Sequence, residues 1–234
     1  MPISNYLAPS AIAKPGVCTS STRPASPYEG QVIYETDTDR ALVWDGAAWE
    51  YLATGTPNPV GLELITSCTA SFTGGSAGSV SNGVITIGTT NTAVAVSNAF
   101  SASFDNYKIL VQGGSASTNA GYFTLQLGST TSNYRYDYIS ANLASATPTS
   151  VGSVGAPNFP YVGYKSSTLM ATIELIGPFA TGMTMICCSA GQTGNNMGML
   201  NGVQIDATSF TGFTLGTSTG TFSGGTIRVY GYRN

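Results

Sequence analysis

From residue 62 onward the chain is cut into short runs of alternating β-branched and aromatic residues, spaced about ten positions apart and each closed by a turn signal. The runs are Leu62–Phe72, Val84–Ile87, Ala93–Phe100, Tyr107–Gln112, Tyr122–Leu127, Tyr134–Ile139, Leu169–Leu175, Met183–Ser189, Val203–Ile205, Phe210–Leu215 and Thr226–Tyr232. Gly74-Gly75, Ser81-Asn82-Gly83, Gly113-Gly114 and Gly224-Gly225 lie between them. A period of two puts alternate side chains on opposite faces of a strand, and many short strands at this spacing indicate an antiparallel β-sandwich or jelly roll. No run carries a 3.6-residue apolar stripe flanked by caps, so helix should be scarce. The expected fold class is all-β, with the sandwich over residues 62–234.

Three shorter regions precede it. Residues 1–28 hold five prolines (Pro2, Pro9, Pro15, Pro24, Pro27) and few periodic apolar positions, which predicts an extended arm without a packed interior. Such an arm either stays disordered or orders along a neighbouring subunit. Residues 29–53 read as a small three-stranded meander. Val32 and Tyr34 alternate, then Leu42 and Trp44, then Trp49 and Tyr51 after the strong turn signal Asp45-Gly46. Both tryptophans of the chain fall here. So few residues do not bury two indoles unaided, so the apolar face must rest on the main domain or on copies of itself. Val32, Tyr34, Leu42, Trp44, Trp49 and Tyr51 are therefore the candidate oligomer contacts. Residues 54–61, dense in Pro and Gly, read as a linker.

Composition narrows the function. Charged residues are 8% of the chain, against roughly 25% in an ordinary soluble domain. Hydrophobic residues reach 42%, which argues against disorder, and no stretch approaches the roughly 20 consecutive apolar residues of a spanning helix, which argues against membrane insertion. Polarity comes from Ser, Thr, Asn and Gly, a surface suited to subunit packing or to sugars. Eight scattered basic residues and a net charge of -3 leave no footprint for nucleic acid. The start lacks a basic segment followed by an apolar one, so synthesis and assembly in the cytoplasm are expected. The four cysteines read as small reduced thiols, since Cys187 and Cys188 as strand neighbours point to opposite faces.

Catalysis has little to work with. Histidine is absent, which removes Ser-His-Asp and Cys-His nucleophiles, His-ligated zinc and the commonest general base. Five of the eleven acids lie between Glu35 and Glu50, in a meander too small to form a glycosidase cleft. Asp37-Thr38-Asp39 has the spacing of some calcium loops but lacks the remaining ligands, and no Gly-rich segment forms a phosphate cradle. The reading is of no enzyme, no cofactor and no metal. Tyr134, Tyr136 and Tyr138 alternate with Arg135 and Asp137, so the three rings share one side. They form either a sugar-stacking face or part of the core.

Two stretches resemble a known family. Ser21 to Thr38, continuing through Leu42-Val43-Trp44-Asp45-Gly46-Ala47-Ala48-Trp49, resembles a short module of tailed-phage structural proteins found in tail fibres, head fibres and related appendages. Phe104-Asp105-Asn106-Tyr107-Lys108-Ile109, Tyr134-Arg135-Tyr136, Ile173 to Phe179 and the ending Gly224 to Asn234 resemble β-rich terminal domains of phage virion proteins. The resemblance implies a virion subunit, commonly a homotrimer, with one end docked on capsid, tail or baseplate and the β-domain projecting, without cofactor or catalytic residues. The expected function is thus a fibre or capsid-decoration subunit, docked by its N-terminal arm and engaged in host adhesion. A second reading is a glycan-binding receptor-recognition module, and a third a glycan-degrading tailspike, whose long repeats this chain lacks.

Overall fold

Short strands need partners, and the N-terminal segment finds them locally. In the computed structural model, which describes residues 15–52, 61–117, 121–142, 144–165, 168–192 and 196–233, the chain divides into two units between residues 59 and 60. The first is a four-stranded sheet in the order β1 (Gly16–Cys18), β2 (Val32–Glu35), β3 (Arg40–Trp44) and β4 (Trp49–Tyr51). The β3–β4 turn is fixed by the Asp45 carboxylate, which accepts hydrogen bonds from the N–H groups of Ala47 (2.7 Å) and Ala48 (2.6 Å), while Gly46 takes φ +100°.

One element here departs from the sequence reading. Residues 15–28 were expected to lie in an unpacked arm, yet β1 pairs in parallel with β2, Gly16 opposite Ile33 and Cys18 opposite Glu35. The loop that follows then ties itself to β2 and the turn after it. Arg23 forms an ion pair with the buried Glu35 carboxylate, which also accepts from the Thr38 hydroxyl at 2.7 Å. The Ser20 N–H and hydroxyl both donate to Asp37. Proline content marked the segment as irregular, but these polar contacts close it over the sheet. Residues 1–14 lie outside the described residues, as does the expected linker except for Gly61.

These contacts give the first unit an acid sensitivity. The Arg23 guanidinium, then the Thr38 hydroxyl, hold Glu35 below the usual carboxylate range; the Ser20 hydroxyl and N–H do so for Asp37, and the N–H groups of Ala48 and Ala47 for Asp45. A carboxyl whose folded pKa is depressed lends stability above its unfolded pKa of about 4 and withdraws it as pH falls through the folded value. Both tryptophans sit in this unit, so their emission should shift to the red below about pH 4, ahead of any change in far-ultraviolet dichroism. Emission that moves only together with the dichroism contradicts the assignment.

The second unit holds β5 (Gly61–Leu64), β6 (Thr69–Thr73), β7 (Ser79–Ser81), β8 (Val84–Thr86), β9 (Ala93–Ser97), β10 (Asn106–Gly113), β11 (Ser115–Ala116), β12 (Phe123–Leu127), β13 (Tyr134–Asn142), β14 (Thr147–Ala156), β15 (Tyr164–Lys165), β16 (Leu169–Ile176), β17 (Thr184–Gln192), β18 (Asn196–Gln204), β19 (Phe213–Thr217), β20 (Phe222–Ser223) and β21 (Thr226–Arg233). No helix occurs among the described residues. The larger sheet runs β14-β13-β18-β17-β16-β10-β21-β8-β7, with β5 also on β21 and β15 on β16; the smaller runs β12-β19-β9-β6, and β11 pairs β20.

The connectivity is that of a jelly roll. Strands β8, β21, β10 and β16 are neighbours in one sheet. Facing them, β9, β19 and β12 are continued by the segment 159–164, where Phe159 exchanges both backbone hydrogen bonds with Leu125 (2.8 and 2.9 Å) and Tyr164 bridges Tyr122. Two hairpins are inserted, β13–β14 and β17–β18, and they pair with each other through β13 and β18. The larger sheet therefore extends four strands beyond the four-stranded roll.

The core lies between the sheets. Tyr107, Ile109 and Val111 of β10, Ile173 and Leu175 of β16, and Ile227 and Val229 of β21 face Val94 and Val96 of β9, Phe123 and Leu125 of β12, and Phe213 and Leu215 of β19. Two of the buried tyrosines, Tyr107 and Tyr134, keep their hydroxyls paired, which offsets the desolvation cost, whereas the buried Tyr138 hydroxyl has no hydrogen-bond partner among the described residues. The Tyr107 hydroxyl donates to the Ser101 carbonyl (2.8 Å) and accepts from the Ser101 N–H (2.7 Å); that of Tyr134 donates to the Thr130 carbonyl (3.1 Å) and accepts from the Leu127 N–H (2.8 Å). All four cysteines are free thiols, and burial pushes Cys68 up to about 11 and Cys188 up to about 12.

Candidate functional site

Strand alternation sends half of each long strand to the outer side of the larger sheet, and on this protein that half carries several large apolar side chains. Met170 and Ile176 of β16, Met185 of β17, Met197 and Met199 of β18, and Ile139 of β13 all point outward and are exposed. Register makes them neighbours. Ile176, Met185, Val203, Arg135 and Val154 form one row across five strands, and Met199 stands between Ser189 and Ile139 in another. Met185 is 49% exposed, Met199 55% and Ile139 57%, in adjoining strands. Between these rows stand Glu174, Cys187, Asn201 and Asp137, so the exposed apolar side chains form two bands on one face, and such exposed apolar surface marks an interaction surface.

Charge on this face is sparse and largely internal. Lys108 pairs with Glu174 at 2.7 Å, and the Tyr232 hydroxyl donates to the second Glu174 oxygen. Arg135 and Asp137, of opposite sign, lie two residues apart on β13. At the margin, β14 is the terminal strand of the larger sheet, ten residues long, with Val151 and Val154 exposed. A long edge without charge leaves backbone donors and acceptors ready to pair with another chain.

The contacts expected in the meander do not share one face. Val32 pairs with Val43 and Tyr34 with Ala41 on one side, whereas Leu42, Trp44, Trp49 and Tyr51 lie on the other. Leu42 is fully buried within the unit, which removes it as an oligomer contact. Trp44 and Trp49 meet edge to face at 5.5 Å, and the Arg40 guanidinium sits 4.6 Å over the Tyr51 ring. Both indoles stay half-buried.

The tyrosines of β13 share a face, as their spacing requires, but that face turns inward. Tyr134 and Tyr138 are buried and cannot touch a glycan, a correction to the sugar-stacking reading. Tyr134 packs edge-on against Phe159 at 4.8 Å, and Tyr138 stacks on Tyr161 at 4.5 Å. Tyr136 alone stays half-buried, at an open depression of about 390 Å³ where β13 meets β12, the end of β19 and the segment 156–160. Tyr122, Thr124, Asn158, Thr217 and Ser218 complete its polar lining.

Tyr161 holds the rings of this depression through contacts with Tyr122 and Tyr136. It stands at φ +59°, a conformation that costs a bulky residue on the order of 1–3 kcal/mol, and its ring lies between Tyr122 (4.2 Å) and Tyr138. Burial, then the neighbouring Tyr122 and Tyr136, push its hydroxyl up to about 12, so it stays a neutral donor. As site residues Tyr122 and Tyr161 gave no signal in the sequence: Tyr122 reads only as the first residue of the run Tyr122–Leu127, and Tyr161 lies in no run.

Acidic side chains do not converge. Among the described residues no three Cys, Asp or Glu side chains come together as a metal site would need. Asp37 and Asp39 are taken up locally, accepting from Ser20 and from the Tyr34 hydroxyl. Lys165, buried at the start of the β15–β16 turn, donates to the Thr219 carbonyl at 2.7 Å, and burial lowers its pKa. It fastens the loop before β20. No protein-family model matches the sequence, and no curated protein matches it.

Proposed function

We propose that the chain is a structural subunit of a tailed-phage particle, a fibre or surface-decoration protein that works by assembling with copies of itself. The observation that carries the reading is the exposed apolar face of the larger sheet around Met185, Met199 and Ile139. Area favours a second copy as its occupant. Five strands about 4.8 Å apart and eight residues long span roughly 600 Å². With β10 and β21 the face reaches roughly 850 Å², close to the ~800 Å² that each partner contributes to a stable interface. Charge agrees, because Lys108 and Glu174 neutralise each other within the face. Arg135 and Asp137 offer opposite signs to a symmetry mate, and Arg228 of β21 adds a further positive charge on the same side.

Three copies around one axis is the number that the resemblance to phage fibre subunits supports. Attachment to the particle is assigned to residues 1–14, because residues 15–28 are engaged by the meander. Antibodies against residues 62–234, applied to purified particles of the phage that encodes the chain, should label one repeated location in negative-stain images. Unlabelled particles, with the protein left behind in the infected-cell lysate, overturn the assignment.

A further inference from the structure

We infer that the depression at Tyr122, Tyr136 and Asn158 is a binding site for a neutral carbohydrate. No charged side chain lines it, which disfavours sialylated or uronic-acid ligands and nucleic acid alike. Two half-buried phenol rings enter it from different elements, Tyr122 at the start of β12 and Tyr136 from the inner side of β13. The apolar C–H face of a pyranose packs on such rings, while its hydroxyls need short neutral donors and acceptors at the rim. Thr124, Asn158 and Ser218 supply those. The Ser218 oxygen accepts from the Tyr122 N–H at 3.1 Å and keeps its own proton to donate. The Thr124 hydroxyl, the Tyr136 hydroxyl and the Asn158 amide make no hydrogen bond among the described residues.

Size and rigidity fit the same ligand. About 390 Å³ lies in the lower part of the roughly 300–1,000 Å³ range of small-ligand sites, room for one or two sugar rings. Tyr122 is held by its ring contact with Tyr161, which is itself stacked on Tyr138, so this wall is fixed before any ligand arrives and the ordering cost of binding stays small. Tyr136 lies on the opposite side of β13 from Ile139, so this site and the apolar face can be occupied together. The inference therefore stands or falls apart from the assembly proposal.

The test is an immobilised panel of neutral di- and trisaccharides built from glucose, galactose, mannose and N-acetylglucosamine, printed beside sialylated and uronic-acid oligosaccharides and probed with the full chain. Retention on neutral members is expected. Calorimetry with the best of them should show at least tenfold weaker binding for Tyr136→Ala and for Asn158→Ala, with wild-type unfolding temperatures, and near-normal binding for Tyr136→Phe. A silent panel overturns the inference. So does preference for the anionic members, or binding that both alanine variants leave unchanged.

Discussion

Replacing Met185 and Met199 together by aspartate is expected to convert the assembled protein into monomers without unfolding it. Both side chains are about half exposed in the single chain, so each change should cost the fold no more than about 0.5 kcal/mol. In the assembly the same positions lose their water, and acids from neighbouring copies meet at close range. Like charges held together in an interface cost several kcal/mol. At about 1.4 kcal/mol per factor of ten, a loss near 3 kcal/mol weakens association at least a hundredfold. Light scattering on the eluting peak measures this directly, and the paired Met185→Leu and Met199→Leu variant should keep the assembled mass. An aspartate variant that still elutes as an oligomer moves the interface off this face.

The second large effect belongs to Phe159. Its ring is fully buried, edge-on to Tyr134, and seats over Gly202, where a Cβ would come within 2.8 Å of it. Its backbone forms the bridge that adds the segment 159–164 to β12. Phe159→Ala removes the ring from a site whose walls are two sheets, so the cavity cannot collapse freely, and the expected loss is about 3–5 kcal/mol. For a domain of this size that lowers the midpoint of thermal unfolding by roughly 10 °C. Because the tryptophans lie in the other unit, far-ultraviolet dichroism is the probe to use. A loss under about 1 kcal/mol would show that Phe159 does not join the sheets. The same substitution takes away a support of the neighbouring Tyr122 and Tyr136 depression.

Much of the sandwich could be read because its central strands carry their burial in their alternation. In β10 the sequence alternates Tyr107, Ile109 and Val111 inward with Lys108 and Leu110 outward, and β16 and β21 behave alike. Strands set by their neighbours left no such trace. The ten residues of β14, Thr-Pro-Thr-Ser-Val-Gly-Ser-Val-Gly-Ala, have the composition of a turn and are held extended by the ladder to β13. Strand β18 was expected only near Val203–Ile205, because Gly198 and Gly202 look like breaks. They are glycines of close approach, where a Cβ would lie 2.1 Å from the Ile139 carbonyl or against Phe159. The run Leu62–Phe72 is two strands, β5 in the larger sheet and β6 in the smaller, joined where the chain crosses between them.

The candidate surfaces were legible only in part, for a related reason. Alternation separated Tyr134, Tyr136 and Tyr138 from Arg135 and Asp137 correctly, yet it could not say which side faces the core. The outward row carries Ile139 beside Met199 as well as Arg135 and Asp137, and tyrosine serves a core or an exposed face alike, so the alternation left both sides open. In the meander, Val32 and Tyr34 fell together with the tryptophans because their phase relative to β3 depends on the pairing register, which only the folded sheet sets.

The outward side of the larger sheet is what the account turns on, and sedimentation equilibrium of the purified full-length chain, run over a wide range of concentration, tests it most directly. One species at three times the chain mass, persisting on dilution, is the predicted result. A monomer at every concentration, with Met185, Met199 and Ile139 left to water, would contradict it.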